Sequence, residues 1–289
     1  MNPTKTDFLF RMRKFLFVLL FLFAGNKAIS QVLSDYAFSA FNGTYTSVSG
    51  GFISSTGGTF WGSTIYDDCF YDNIPIGFTF VYCGNSYTFV SASQNCWVML
   101  GQTFGSTFYN TYDCDLSNTT TGGFGNFNLP RPILAALWLD VLVSANNVRY
   151  ATTGTAPNRV FTIEWSNCGL YPSTSPAESV QIKLYETTNI IDFVYSNISS
   201  GSTSTGHLSI GITDGSGPYP VTGTIGYWSV NNTGTSPTPS MTTEYKFLTG
   251  LPTTNQVYRW SPQCIGTPSA GTVSATTTSG CTSYTSTLT

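Results

Sequence analysis

Three features of this 289-residue sequence predict an all-β fold, an antiparallel β-sandwich or jelly roll of about a dozen short strands. Residues Val160 to Trp165 alternate, with Phe161, Ile163 and Trp165 on one side and Thr162 and Glu164 on the other, the period of a half-buried strand. Val180 to Tyr195 holds two such runs around Glu186-Thr187-Thr188-Asn189, which reads as an antiparallel hairpin. In it Ile182 and Leu184 meet Ile191 and Phe193 on one face. No run between Ile133 and Tyr195 has helical spacing, and the other apolar runs are short and bounded by Gly, Pro, Asn or Ser.

Taken in order, Tyr36 to Gly51 reads as an opening pair of strands broken at Asn42-Gly43, a strong hairpin signal. Ile76 to Val81 and Tyr87 to Ala92 flank Cys83-Gly84-Asn85-Ser86 as a second hairpin, and Cys96 to Leu100 returns as a third strand. That meander puts Cys83 and Cys96 at opposite ends of its middle strand. At ~3.4 Å per residue they lie beyond the ~7 Å Cα separation of a disulfide. Gly101 to Pro130 has no clean period and is long for a loop in a compact domain. It carries Phe104, Phe108, Tyr109, Tyr112, Phe124 and Phe127, too many rings for disorder, so partial order with some rings packed inward is expected. Residues 207–214, 224–230, 244–248 and 257–260 read as further strands. The stretch 31–262 suits one domain, since all-β sandwiches reach ~200–250 residues.

The first thirty residues read as a signal peptide. Arg11, Arg13 and Lys14 precede an apolar core at 15–25, and Ala28-Ile29-Ser30 forms a small-x-small cleavage site. Eleven apolar residues are too few for a membrane span of ~20, so contact with a membrane is expected only through this segment before cleavage. Residues 1–30 hold five of the eleven basic groups and one of the fourteen acidic ones, leaving six basic against thirteen acidic, net −7. Nucleic acid is excluded as a partner, because phosphate contacts need a basic footprint. All seven cysteines follow the leader, where export permits disulfides, and an odd count leaves at least one outside an intrachain pair.

A resemblance accompanies these readings. IPIGFTF at 74–80, ILAALWLD at 133–140, GTAPNRVFTIEW at 154–165, QIKLYETTNIIDFVY at 181–195 and HLSIGITD at 207–214 resemble, in that order, one secreted and surface β module of Bacteroidota multidomain proteins. The module is more distantly similar to nidogen-like extracellular domains, in which a Trp-x-Asp also precedes a strand of the VRY type. The resemblance spans roughly residues 35 to 262. It implies a non-catalytic module of adhesin-like proteins, secreted or at the cell surface, with an extracellular glycan or protein as ligand. The extra cysteines and the long insertion before Ile133 depart from it. Residues 263–289 resemble the start of an Ig-like repeat, or else form a loosely ordered tail. That resemblance and a sixteen-residue spacing imply a Cys264–Cys281 disulfide.

Candidate chemistry is sparse. The only histidine, His207, opens a strand, no G-x-S-x-G elbow is present, and Glu164 and Glu186 read as solvated positions, so no catalytic residue and no enzyme is expected. Asp67, Asp68 and Asp72 flank Cys69, while Asp113 and Asp115 flank Cys114. A Cys69–Cys114 bridge would gather five carboxylates, which repel one another unless a hard cation such as calcium neutralises them. The alternative is two unrelated solvated loops using Asp for turns. In Trp138-Leu139-Asp140 the Trp reads as core and the Asp as a loop cap, with Arg149 or Arg159 as its surface partner. Trp61, Tyr66, Tyr71, Phe108, Tyr109 and Tyr112 supply rings that could stack on sugars, against the plainer reading that they pack inward. The sequence thus predicts an adhesion or surface-binding module, and secondly a carbohydrate-binding module of a larger degradative enzyme. No cofactor other than calcium is suggested.

Overall fold

The computed structural model describes residues 31–61, 65–105, 116–117, 129–144, 147–173, 178–196, 208–215, 217, 225–231, 236–246 and 251–263. Residues 1–30, His207 and the residues from Cys264 onward lie outside them. Among the described residues fifteen strands form, every pairing among them is antiparallel, and one 3-10 turn, Leu33–Asp35, precedes them. The chain is all-β, as its alternating runs predict.

Two layers make up the fold. The first runs β1 (Tyr36–Asn42), β15 (Gln256–Pro262), β11 (Ile191–Ser196), β10 (Glu178–Tyr185), β9 (Val160–Leu170), with β8 (Val148–Thr153) on the far side of β9. The second runs β7 (Val141–Ser144), β3 (Ile65–Tyr82), β4 (Asn85–Ser93), β5 (Trp97–Leu100), β6 (Ile133–Trp138), β12 (Ser209–Thr213), β13 (Tyr227–Asn231), β14 (Thr238–Ser240), with β2 (Gly57–Trp61) on β3. The end of β9 pairs with β7 at Leu170↔Val141 and Gly169↔Leu142, so the layers are joined at one corner.

The hairpin at 180–195 forms in the expected register, Ile182 opposite Phe193 and Leu184 opposite Ile191. So does the meander β3–β4–β5. Its first turn is only Cys83-Gly84, both at positive φ (46° and 75°), the requirement of a type I′ hairpin turn. Other expectations fail. No hairpin forms at Asn42-Gly43. Instead β1 pairs over its whole length with β15, and Gly43 N and Tyr45 N donate to Asn255 O and Oδ1. A long, fully registered partner from the other end of the chain outcompetes a local turn. Glu244 to Lys246 is not a strand, because Glu244 is turned to other uses described below. β3 is no short strand but eighteen residues long, kept continuous by irregularities between Tyr71 and Ile74 and between Pro75 and Phe80.

The main core lies between the layers. Phe161, Ile163 and Trp165 of β9, Ile182 and Leu184 of β10, and Phe193 and Tyr195 of β11 face Val90, Val98, Leu134 and Ile212. Two ring donors cross it. Trp165 Nε1 donates to Ser93 O (2.8 Å) and Tyr195 OH to Ala136 O (2.7 Å), tying first-layer strands to second-layer backbone.

A second apolar cluster covers the other face of β5 and β6. Val98, Leu100, Leu134 and Ala136 belong to the main core, whereas their alternating neighbours Trp97, Met99, Ile133 and Ala135 pack with Phe104, Leu116 and Leu129. These last three come from the long insertion, and its Phe104 does pack a ring inward. Phe104 stacks on Phe70 (4.8 Å) and leans on Trp97 (5.4 Å). Carboxylates hold the insertion backbone: Asp72 accepts from Phe104 N and Gly105 N, and Glu244 from Leu116 N and Ser117 N. Gly211 of β12 lies beneath it. A Cβ there would meet Trp228 O at 2.0 Å and Leu116 Cδ1 at 2.7 Å, so only glycine lets the insertion and β13 close down.

Replacing Trp165 with Phe keeps an aromatic ring but removes the donor to Ser93 O. Urea unfolding is expected to show a loss of about 1–3 kcal/mol with the m-value unchanged.

Candidate functional site

The polar feature that stands apart from core packing is a corner built on the turn between β4 and β5. Gln94, Asn95 and Cys96 are all fully buried, so every polar atom there needs a partner inside the protein. Gln94 N donates to Cys69 O, and Gln94 Nε2 reaches Tyr66 O (2.8 Å) and Val141 O (3.3 Å). Asn95 Nδ2 donates to Asp68 Oδ1 (2.8 Å), while Asn95 Oδ1 accepts from Val141 N (3.0 Å). Cys96 O accepts from both Ala136 N and Leu137 N (3.1 and 3.3 Å). Two successive amides on one carbonyl mark a bulge in β6, and the pairing with β12 gains one extra residue at the same place. The bulge reverses the alternation. Leu137 stays with the main core and Trp138 turns to the outer cluster against Trp97, ring centroids 4.8 Å apart.

Asp140 follows that reversal. Asp67, Asp68 and Asp140 each offer a carboxylate oxygen, and the three lie within 4.8 Å of one another. Asp67 sits where β3 pairs with both β2 and β7, and Asp68 holds a left-handed backbone (φ 51°) that Asx residues tolerate best. An all-oxygen donor set of this kind suits a hard cation rather than zinc or copper. Beside it, Gln94 Oε1 is buried and accepts no hydrogen bond among the described residues.

Two carboxylates of the sequence-predicted set, Asp67 and Asp68, thus come together. Asp72 does not join them, being spent on the insertion backbone, and Asp113, Asp115 and Cys114 lie outside the described residues. Asp140, read as a loop cap, takes its place. Among the rings, Tyr71 is 2% exposed and packs in the core, so it presents no face to a sugar. It sits on β3 at a position where the inward side is set by pairing with Ala92. Tyr66 is half-buried against the same core. Trp61 closes β2 opposite Ile65. Phe108, Tyr109 and Tyr112 lie outside the described residues.

The NIDO-related family model matches residues 35–262, from just before β1 to the last residue of β15. The chain belongs to the NIDO-related family. No curated protein and no solved structure matches it. NIDO-related domains are non-enzymatic extracellular modules, and no helix among the described residues is long and apolar enough to cross a membrane.

Glu164 and Glu186 serve this NIDO-related fold structurally. Glu164 is not solvated but fully buried. Its carboxylate accepts from Ser47 Oγ, Val48 N and Gln181 Nε2 and pairs with Arg149 at 3.4 Å, anchoring the strandless segment after β1. Alternation put it opposite Phe161 correctly, but that side is covered by residues 46–48. Arg149 is therefore engaged with Glu164, not Asp140. Arg159 likewise pairs with Glu186, through Nε (2.8 Å) and Nη2 (2.5 Å), and Nη1 caps Gly77 O. Asp192 takes a bidentate contact from Arg259 directly across the β11–β15 pair, both bonds 2.7 Å, and accepts Tyr185 OH. Glu164 and Glu186 belong to separate networks, so they do not form the facing pair that glycoside hydrolysis needs.

Arg159 holds the Glu186 carboxyl down at about 2, from an ordinary 4.5. A depressed acid contributes stability above its unfolded pKa and loses it as pH falls through the folded one, here between pH 4.5 and about 2. Melting midpoints measured across that window are expected to fall less in Glu186→Gln than in the unsubstituted chain. At the buried site, Glu164→Ala strands Val48 N and the Arg149 charge, and chemical unfolding is expected to register a loss of about 2–4 kcal/mol.

Proposed function

We propose that the chain is a non-catalytic extracellular module that binds at a surface, an adhesion unit of a larger exported protein. The observation that carries this reading is the pairing of the module's two ends. Tyr36 lies opposite Pro262, so the chain comes into and leaves the NIDO-related unit side by side on the edge of one layer. A unit with adjacent ends can be set into a multidomain chain without disturbing its neighbours, leaving its remaining loops free for contact. The partner is an extracellular protein or glycan. Carbohydrate binding is the weaker reading, since Tyr71 is withdrawn into the core and Tyr66 is half-buried. Displayed on a non-adherent bacterial host, the chain is expected to promote attachment to cell or matrix-coated surfaces. No attachment above background would overturn the reading. Selective binding on a glycan array, lost in Trp61→Ala with Tyr66→Ala, would transfer it to the carbohydrate class.

The same proposal gives calcium to Asp67, Asp68 and Asp140. Three carboxylate oxygens within 4.8 Å and the buried, unused Gln94 Oε1 next to their backbone support it. Millimolar calcium is expected to raise the melting midpoint of the chain, and Asp140→Asn to remove that rise. An unchanged midpoint eliminates the ion while leaving the adhesion reading intact.

A further inference from the structure

We infer that Cys96 and Cys168 are joined by a disulfide in the exported protein, a staple between the two layers at the centre of the fold. Both side chains are almost wholly buried, at 0% and 1% exposure. Cys96 lies in the turn between β4 and β5 of the second layer, and Cys168 on β9 of the first. Their approach is fixed by the backbone around them. Trp165 Nε1 donates to Ser93 O at 2.8 Å, and each cysteine follows one of those residues by three positions. Cys168 sits opposite Glu178 on β10, and Cys96 O holds the bulge of β6 that also receives Tyr195 OH from the first layer. Val141, which donates to Asn95 Oδ1 and accepts from Gln94 Nε2, pairs with Leu170 two residues beyond Cys168, and both cysteines belong to the one core cluster.

Among the described residues Cys96 Sγ makes a long 3.8 Å contact with Gln94 O, and Cys168 Sγ accepts from Asn147 Nδ2 at 3.1 Å. Cys96 also holds a left-handed backbone, φ 61°, where Gly or Asn would sit more easily. A crosslink at that position gives a reason for a cysteine there that packing alone does not. Cys83 is not a competing partner, because β4 separates it from Cys96.

The inference rests on the extracellular reading, since a disulfide of this kind persists only outside a reducing compartment. Formation belongs to folding, before the pair is enclosed. One cysteine thiolate attacks the disulfide of an external donor, such as oxidised glutathione or an exported thiol oxidant, and displaces one donor thiolate. The other cysteine then attacks the mixed disulfide and releases the second. The chain loses two protons and two electrons, and the donor, reduced to two thiols, gains them.

The full chain is unfolded, reduced, refolded in a glutathione redox buffer, then denatured and alkylated without reductant. Chymotrypsin cuts after aromatic residues and places Cys69, Cys83, Cys96 and Cys168 on separate peptides. The expected result is one crosslinked peptide joining the Cys96 and Cys168 segments, lighter by two hydrogens than the sum of the free forms. The melting midpoint is expected to fall by roughly 10 °C on reduction. That sensitivity should vanish in the double variant Cys96→Ala, Cys168→Ala. Recovery of both cysteines alkylated from refolded chain overturns the proposal, whether or not the variant folds. The buffer supplies the oxidant, so failure here is distinct from failure of the extracellular reading, which a fractionation of the native host would reveal.

Discussion

A polar turn in the middle of an apolar core governs this structure. Gln94, Asn95 and Cys96 have no access to water, and a buried turn is stable only if its amides and carbonyls are answered within the protein. They are answered from three directions: from Tyr66 to Cys69 on β3, from Ala136 to Leu137 on β6, and from Val141 on β7. Each answer fixes a different strand. Trp165 adds the fourth direction by reaching Ser93 from the opposite layer. The long β3, the bulge in β6 and the joint between layers can be traced to this one need. A break in any of them would leave polar atoms stranded where desolvation is most costly.

From the bulge follows the position of both the second apolar cluster and the acidic corner. Without the extra residue at Ala136–Leu137, strict alternation would send Trp138 into the main core and shift Asp140 with it. With it, Trp138 joins Trp97 under the insertion and Asp140 comes beside Asp67 and Asp68. β5 and β6 are consequently buried on both faces, an arrangement more familiar in parallel sheets than in antiparallel ones. The described residues of the insertion are thus part of the fold. It is held by Asp72 and Glu244 and packed through Phe104, Leu116 and Leu129. Its rings are partly spent on cohesion before any ligand is considered.

Charge usage points the same way. Glu164, Glu186 and Asp192 each meet an arginine, and those pairs lock loops and edges rather than line a cleft. Arg259 pairs with Asp192 and lies over Phe41 and Tyr185, so a single residue closes the β1–β15–β11 edge where the two ends of the module meet. The fold thus spends these charges on its own closure and holds its two ends together.

Much of this was legible from residues alone. Alternation at 160–165, the 180–195 hairpin, the β3–β4–β5 meander and the all-β class need only nearest-neighbour chemistry, because strand period and turn residues are local properties. The five motifs taken together also marked the span that the NIDO-related family covers. What tertiary structure alone decided is which strand meets which, and what covers each face. β1 finds β15 across more than two hundred residues instead of folding back at Asn42-Gly43. Glu164 is enclosed by a segment over a hundred positions away, and one bulge carries Asp140 to Asp67. Those outcomes depend on satisfying buried polar groups among distant partners, and a one-dimensional pattern carries no record of distance.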